Sequence, residues 1–253
     1  MNNGSRISYF LSEEEVVRIG DAFDYASRIE RPLNLAVNIN LAVAEVKIRP
    51  QLFVEHFLKH AGDWLRSVGV DRLYVWVLEN RGGVHVHIMI HVPKQHIARF
   101  RQLEKGWLKK AGGVNRKRAI KSESLLLLGE PHGGNKGGSR LAAFTALYIL
   151  KGASIQTCQK YGIDYDHRGE QGAIIGKRCG TSNSLSERIR AKSALPEIPP
   201  FTVAPFFGPR RTPHSVFPKR PMSREQQRAY DEADREWNDK PREPRARRSS
   251  LAR

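Results

Sequence analysis

The chain is short of cysteine, of long apolar runs and of acidic residues, and each shortage narrows what it can be. Cys158 and Cys179 are its two cysteines, and they are too far apart for a CxxC ligand pair. That excludes a disulfide-stapled scaffold and a thiolate zinc module, and the pair reads as reduced thiols of a cytoplasmic protein. The purest apolar run, Leu125–Leu128, falls far short of a membrane span. No apolar region of secretory type follows Met1–Arg6, which adds to the cytoplasmic expectation. Asp and Glu number 26 against 43 Lys and Arg, a formal net charge of +17. Such an excess suits few small-molecule substrates and favours a polyanion, either nucleic acid or an anionic membrane surface.

Composition divides the 253 residues in two. Residues 1–194 alternate periodic apolar segments with Gly-rich turns, as one folded domain does. From Leu195 prolines crowd the sequence (Pro196, Pro199, Pro200, Pro205, Pro209, Pro213), and regular structure gives way to an expected disordered Pro/Arg-rich tail over 195–253. One exception is Ser223-Arg224-Glu225-Gln226, a capping-box pattern that predicts a helix over 223–239. The tail holds 13 Lys and Arg and 8 Asp and Glu, so it carries +5 and the remainder +12. The basic character therefore belongs chiefly to the folded part.

Within that part the spacing predicts a helix capped by Ser12 and running to Ile29, a strand over Leu33–Val43 and a helix over Pro50–Val68. A hairpin follows, Arg72–Leu78 with Val84–Val92 around Arg81-Gly82-Gly83, then a basic helix over Lys94–Lys110. Further on come a strand at Leu125–Leu128, a helix from Ser139 to Lys151 stopped by Gly152, a short strand at Ala173–Ile175 and a helix over Asn183–Ala194. Strands joined by a hairpin and separated by helices predict an α+β fold, an antiparallel or mixed sheet with helices packed on it.

Chemistry concentrates at Glu79–Pro93. His85 and His87 alternate with Val84, Val86, Ile88 and Ile90, so in a strand both imidazoles leave the same face while the opposite face is core. Two imidazoles at that spacing can hold one divalent ion, and Glu79, across the glycine turn, can add an oxygen. The mixed set suits Mn²⁺, Mg²⁺ or Zn²⁺ without choosing among them. The plainer alternative is a half-exposed strand with satisfied histidines. Tyr148 and Lys151, three apart in a helical pattern, share a helix face, so a phenol and an ammonium can reach one phosphate. The plainer alternative there is a lysine favoured by the helix C-terminus. Arg81, Lys177 and Arg178, with a further series between Lys94 and Arg118, are candidates to track a phosphate backbone. The glycine-rich stretch Pro131–Gly138 lacks the GxxxxGK[ST] pattern and is not a nucleotide-binding loop.

Taken in order, Glu79-x₅-His85-x-His87 followed some sixty residues later by Tyr148-x-x-Lys151 resembles the HUH endonuclease family, and within it the rolling-circle replication initiators of bacterial plasmids and filamentous phages. Leu33–Asn40 stands where the family has its first strand motif, with Asn and Ala where Thr is usual. Gly176–Asn183 is similar to a segment found after the tyrosine helix. The resemblance covers residues 33–192. It implies a central antiparallel sheet with flanking helices, of the HUH or ferredoxin-like kind. It implies Mg²⁺ or Mn²⁺ held by His85, His87 and Glu79, and Tyr148 attacking single-stranded DNA at a replication origin to leave a 5′-phosphotyrosine, with Lys151 assisting. Tyr161 and Tyr165 lie beyond Gly152, off that helix face, so a single-tyrosine enzyme is expected. With no helicase module in the sequence, a host helicase is the expected partner. A single-tyrosine transposase has the same motif order. A non-catalytic basic nucleic-acid-binding protein and a metal-dependent hydrolase are the readings from other classes.

Overall fold

The computed structural model describes residues 6–124, 149–163 and 171–193, all within the first of two units, Met1–Pro209. The elements are β1 (Ile7–Ser8), α1 (Glu13–Arg28), β2 (Leu35–Asn40), α2 (Pro50–Ser67), β3 (Tyr74–Asn80), β4 (Val84–Ile90), α3 (Ile97–Lys110), β5 (Ile120–Ser124), α4 (Ile155–Tyr161), β6 (Ile174–Ile175) and β7 (Cys179–Thr181). Five strands form an antiparallel sheet in the order β5-β2-β4-β3-β7, and β1 pairs with β6 as a separate two-stranded ribbon. The fold is α+β, with helices on both faces of the sheet.

Local chemistry explains the boundaries. Ser12 accepts from the Glu15 amide and Glu15 returns a bond to the Ser12 amide, the capping box that starts α1. Pro50 opens α2 with its φ preset. The expected strand over Leu33–Val43 is shorter, ending at Asn40. There the side-chain oxygen of Asn40 accepts from the Val43 amide at 2.9 Å and turns the chain out of the sheet. At the other end the Asn34 amide exchanges two bonds with the Val92 backbone, at 2.8 and 2.9 Å. The expected hairpin is present with shifted bounds: β3 starts at Tyr74 and runs on through Glu79 to Asn80, and β4 ends at Ile90, paired from Tyr74↔Ile90 to Asn80↔Val84.

Three elements carry little periodic signal. β5, Ile-Lys-Ser-Glu-Ser, is polar and joins the sheet through β2 alone. β7 is three residues long and pairs with β3; a side chain at its Gly180 would collide with the Trp76 indole. α4 is a single Ser154-capped pair of turns. The expected strand at Leu125–Leu128, nearly all of the expected Ser139–Lys151 helix and the tail from Leu195 with its 223–239 helix lie outside the described residues. The expected helix over Asn183–Ala194 is a 3₁₀ turn at Asn183–Leu185 followed by a short helix at Glu187–Arg190.

Alternation splits the core in two. On one face Leu35, Val37, Ile39, Leu78, Val86, Ile88 and Ile90 meet α2 and α3. The two helices lock together through aromatic edges, with Phe100 and Trp107 at 5.0 Å and Trp64 and Trp107 at 5.7 Å between ring centroids. On the other face Ala36, Val75, Val77, Met89 and Cys179 pack against Val16, Ile19, Phe23 and Ala26 of α1 and against Ile149, Leu150 and Ala153. The second core covers only part of its face. Toward Asn40, Glu79 and His85 the same face turns polar, and the site lies there.

The segment before β6 is tied to that polar end. Gly172 has φ +74°, and a β-carbon there would run into the Asn80 carbonyl. Gly172→Ala is expected to destabilise the protein by about 2–4 kcal/mol in chemical denaturation. A loss below about 0.5 kcal/mol would show that the Asn80–Gly172 approach is not a fixed part of the fold.

Candidate functional site

Register decides which side chains meet. Along β4, His85 is paired with Glu79 on β3 and Asn40 on β2, and His87 with Val77 and Asn38. Residues directly opposite in an antiparallel pair point to the same face, so Asn38, Asn40, Glu79, His85 and His87 form one polar cluster at the end of the α1-covered face.

The Glu79 carboxylate is its centre. It is 6% exposed, which places a charge in the interior and demands partners. His87 Nε2 is 3.2 Å from Glu79 Oε2, and Lys151 Nζ is 3.6 Å from the same oxygen. Burial pushes the Glu79 carboxyl up. The His87 hydrogen bond, with the positive charges of His87 and Lys151, more than offsets that and holds it below the usual carboxylate range. Burial, then the neighbouring His87, depresses His85, against an opposing backbone hydrogen bond at Gly83. His85 is therefore a neutral imidazole at neutral pH, and its Nε2 lone pair accepts from the Asn40 amide, whose oxygen serves the Val43 N–H.

Two residues whose role the sequence did not disclose set the rings. Asn38 Oδ1 bonds His87 Nδ1, and Asn40 Nδ2 lies 3.0 Å from His85 Nε2. His87 thus spans the two strands, with Nδ1 on Asn38 Oδ1 and Nε2 on Glu79 Oε2. The sequence signal was present: asparagines two apart on the neighbouring strand, at the spacing of the histidines they serve.

The cluster suits a divalent cation in its donor chemistry. Among the described residues Glu79 Oε1 is buried with no hydrogen-bond partner, an acceptor oxygen left unsatisfied. Two imidazole nitrogens and one carboxylate are a mixed N/O set. The three donors share a face without closing around one point: among the described residues no group of three His, Cys, Asp or Glu side chains forms a complete metal-holding set.

The other expected residues are placed as follows. Lys151 reaches the cluster. Tyr148 lies outside the described residues; the helical positions that follow it, Ile149 and Leu150, are fully buried beneath α1, and the Lys151-Gly152 turn passes over Glu79. A β-carbon on Gly152 would stand 3.9 Å from Glu79 Oε1. Arg81 follows β3 directly, half-buried at the hairpin turn. Lys177 is exposed and sits over the Trp76 ring, 5.8 Å from its centroid, and Trp76 belongs to the α2–α3 core on the opposite face.

Arg178 is not placed as a surface DNA contact. It is 2% exposed, and its guanidinium bonds the Ser8 hydroxyl and carbonyl and the carbonyls of Leu78 and Gly172, pinning the β1–β6 ribbon to β3. Burial lowers it to about 10, still above the physiological range. Sequence reading took the positive charge as exposed; two of the three carbonyls that claim it, those of Ser8 and Leu78, come from distant segments.

Comparison with family models, with curated proteins and with solved structures returned no match.

Arg178→Met is expected to cost about 2–4 kcal/mol of folding stability, since it leaves several carbonyls without their charged donor. Lys177→Met should cost no more than about 1 kcal/mol, the worth of its contact with Trp76. Urea titration of both variants checks this, and equal, small losses would return Arg178 to the surface.

Proposed function

We propose that this chain is a rolling-circle replication initiator of the HUH endonuclease kind, a metal-dependent enzyme that nicks and rejoins single-stranded DNA at an origin through a single tyrosine. The observation that carries the reading is the 3.6 Å approach of Lys151 Nζ to Glu79 Oε2. It ties the end of the segment bearing Tyr148 to the face bearing His85 and His87, two motifs more than sixty residues apart in sequence. A basic protein with a net charge of +17 is matched to a polyanionic substrate.

In this reading Glu79, His85 and His87 hold Mg²⁺ or Mn²⁺, which when bound polarises the scissile phosphate. Asn38 and Asn40 keep the imidazoles oriented. Lys151 supplies positive charge where the phenol of Tyr148 loses its proton and negative charge develops on phosphorus. The phenolate oxygen forms a bond to phosphorus as the bond to the 3′ oxygen breaks. The 3′ oxygen takes up a proton and leaves as a hydroxyl, and the 5′ phosphate stays on the tyrosine. One phosphoester replaces another, so the free 3′-hydroxyl can reverse the step and rejoin the strand. Arg81, at the β3–β4 turn, is a candidate cation for the flanking phosphates. Unwinding is left to a host helicase, and the setting is cytoplasmic.

The test is a denaturing gel of purified protein with Mn²⁺ and labelled single-stranded fragments tiling both strands of the replicon that encodes it. A covalent protein–DNA band is expected, absent from Tyr148→Phe and from the His85→Ala/His87→Ala double variant. A band that survives Tyr148→Phe removes Tyr148 as nucleophile. DNA binding with no band on any fragment replaces the enzyme reading by a non-catalytic one.

A further inference from the structure

The cations of α3 have no place in the site just described. The His85 face is covered by α1, whereas α3 packs on the opposite face of the sheet beside α2. Its outward side carries Arg99, Lys105, Lys109 and Lys110, continued by Lys117 and Arg118 in the following loop, all exposed. Between Arg99 and Lys110 the helix rises about 16 Å, enough to bridge phosphates across a groove about 12 Å wide.

Among the described residues these charges lack the close ion pairs that their neighbours make, the nearest counter-charge being Glu104 beside Lys105. Lys59 and Arg66 both pair with Asp63, Arg116 pairs with Glu45, and Lys121 pairs with Glu123. Lys105, Lys109, Lys110, Lys117 and Arg118 make no ion pair among the described residues. The one carboxylate of α3, Glu104, is 5% exposed and turned inward. Lys105 and Lys109 stand at i, i+4, a like-charge spacing that weakens a helix.

Gly106 adds an independent sign. It sits mid-helix on this outward side, and a β-carbon there would meet nothing within 4 Å. Packing does not call for glycine at that point, and helix propensity opposes it. A bare patch beside Lys109 and Lys110 lets a partner approach the backbone closely.

We propose that the outer surface of α3, extended by Lys117 and Arg118, docks the phosphate backbone of duplex DNA, separately from the histidine site and independently of whether that site nicks. A duplex fits better than a single strand, because Trp64, Phe100 and Trp107 are spent on one another and offer no stacking platform. A bilayer fits less well, because among the described residues Val114, in the loop before Lys117, is the one large exposed apolar side chain on this surface, too little for insertion.

The experiment is fluorescence anisotropy of the full chain with a labelled duplex of arbitrary sequence, a single strand of equal length, and vesicles containing phosphatidylserine, over a range of salt. Lys105→Gln/Lys109→Gln/Lys110→Gln should weaken duplex binding about tenfold or more and reduce the slope of log K against log salt by about 3. Single-strand binding should change by less than about twofold. Gly106→Gln should raise the melting temperature yet weaken duplex binding with the salt slope unchanged, a signature that lost charge does not give. Unchanged duplex affinity and slope in the triple variant would overturn the proposal. So would a loss confined to vesicles, or one equal for single strand and duplex.

Discussion

Everything at the polar end of this fold depends on keeping the Glu79 carboxylate charged inside the protein. A buried charge costs several kcal/mol unless it is paired and hydrogen-bonded. Here His87 and Lys151 share one of its oxygens. The pairing recruits the rest: Asn38 sets the His87 ring, Asn40 sets His85 and ends its own strand, and Lys151 draws the segment after Tyr148 over the sheet. The second oxygen, buried and with no hydrogen-bond partner among the described residues, is the residual demand that a cation would satisfy.

The sheet keeps two electrostatic tasks apart. Alternation along β3 and β4 sends Glu79, His85 and His87 to one face and Leu78, Val86 and Ile88 to the other. The apolar face is sealed by the aromatic lock of α2 on α3, which leaves α3's cations facing outward on the far side of the molecule's core. Cations that look like one basic field along the sequence are thus divided by the pleat. Arg81 stays at the β3–β4 turn, Lys177 leans on Trp76, and Arg178 is absorbed as an internal clamp.

What was legible in the sequence was whatever period and capping chemistry encode locally. α1 with its Ser12–Glu15 box, α2 behind Pro50 and the Gly-turn hairpin appear where spacing puts them. The same-face relation of His85 and His87 followed from period 2 alone. What stayed hidden depends on contacts between distant segments. β7 is held by pairing with β3 and by the absence of a side chain at Gly180, and β5 is a polar strand that β2 alone keeps in the sheet. The roles of Asn38 and Asn40 required knowing that β2 lies beside β4. Arg178 could not be told from a surface arginine without the Ser8, Leu78 and Gly172 carbonyls that surround it.

The most direct test of the Glu79 cluster as a metal centre is pulsed electron paramagnetic resonance of the protein titrated with Mn²⁺. One tightly held ion per chain is predicted, with nitrogen couplings from two imidazoles, lost in His87→Ala and bound about 10–100-fold more weakly in Asn38→Ala. Retention of no Mn²⁺, or of Mn²⁺ without imidazole couplings, would contradict the account and leave Glu79, His85 and His87 as a buried polar network with a structural task.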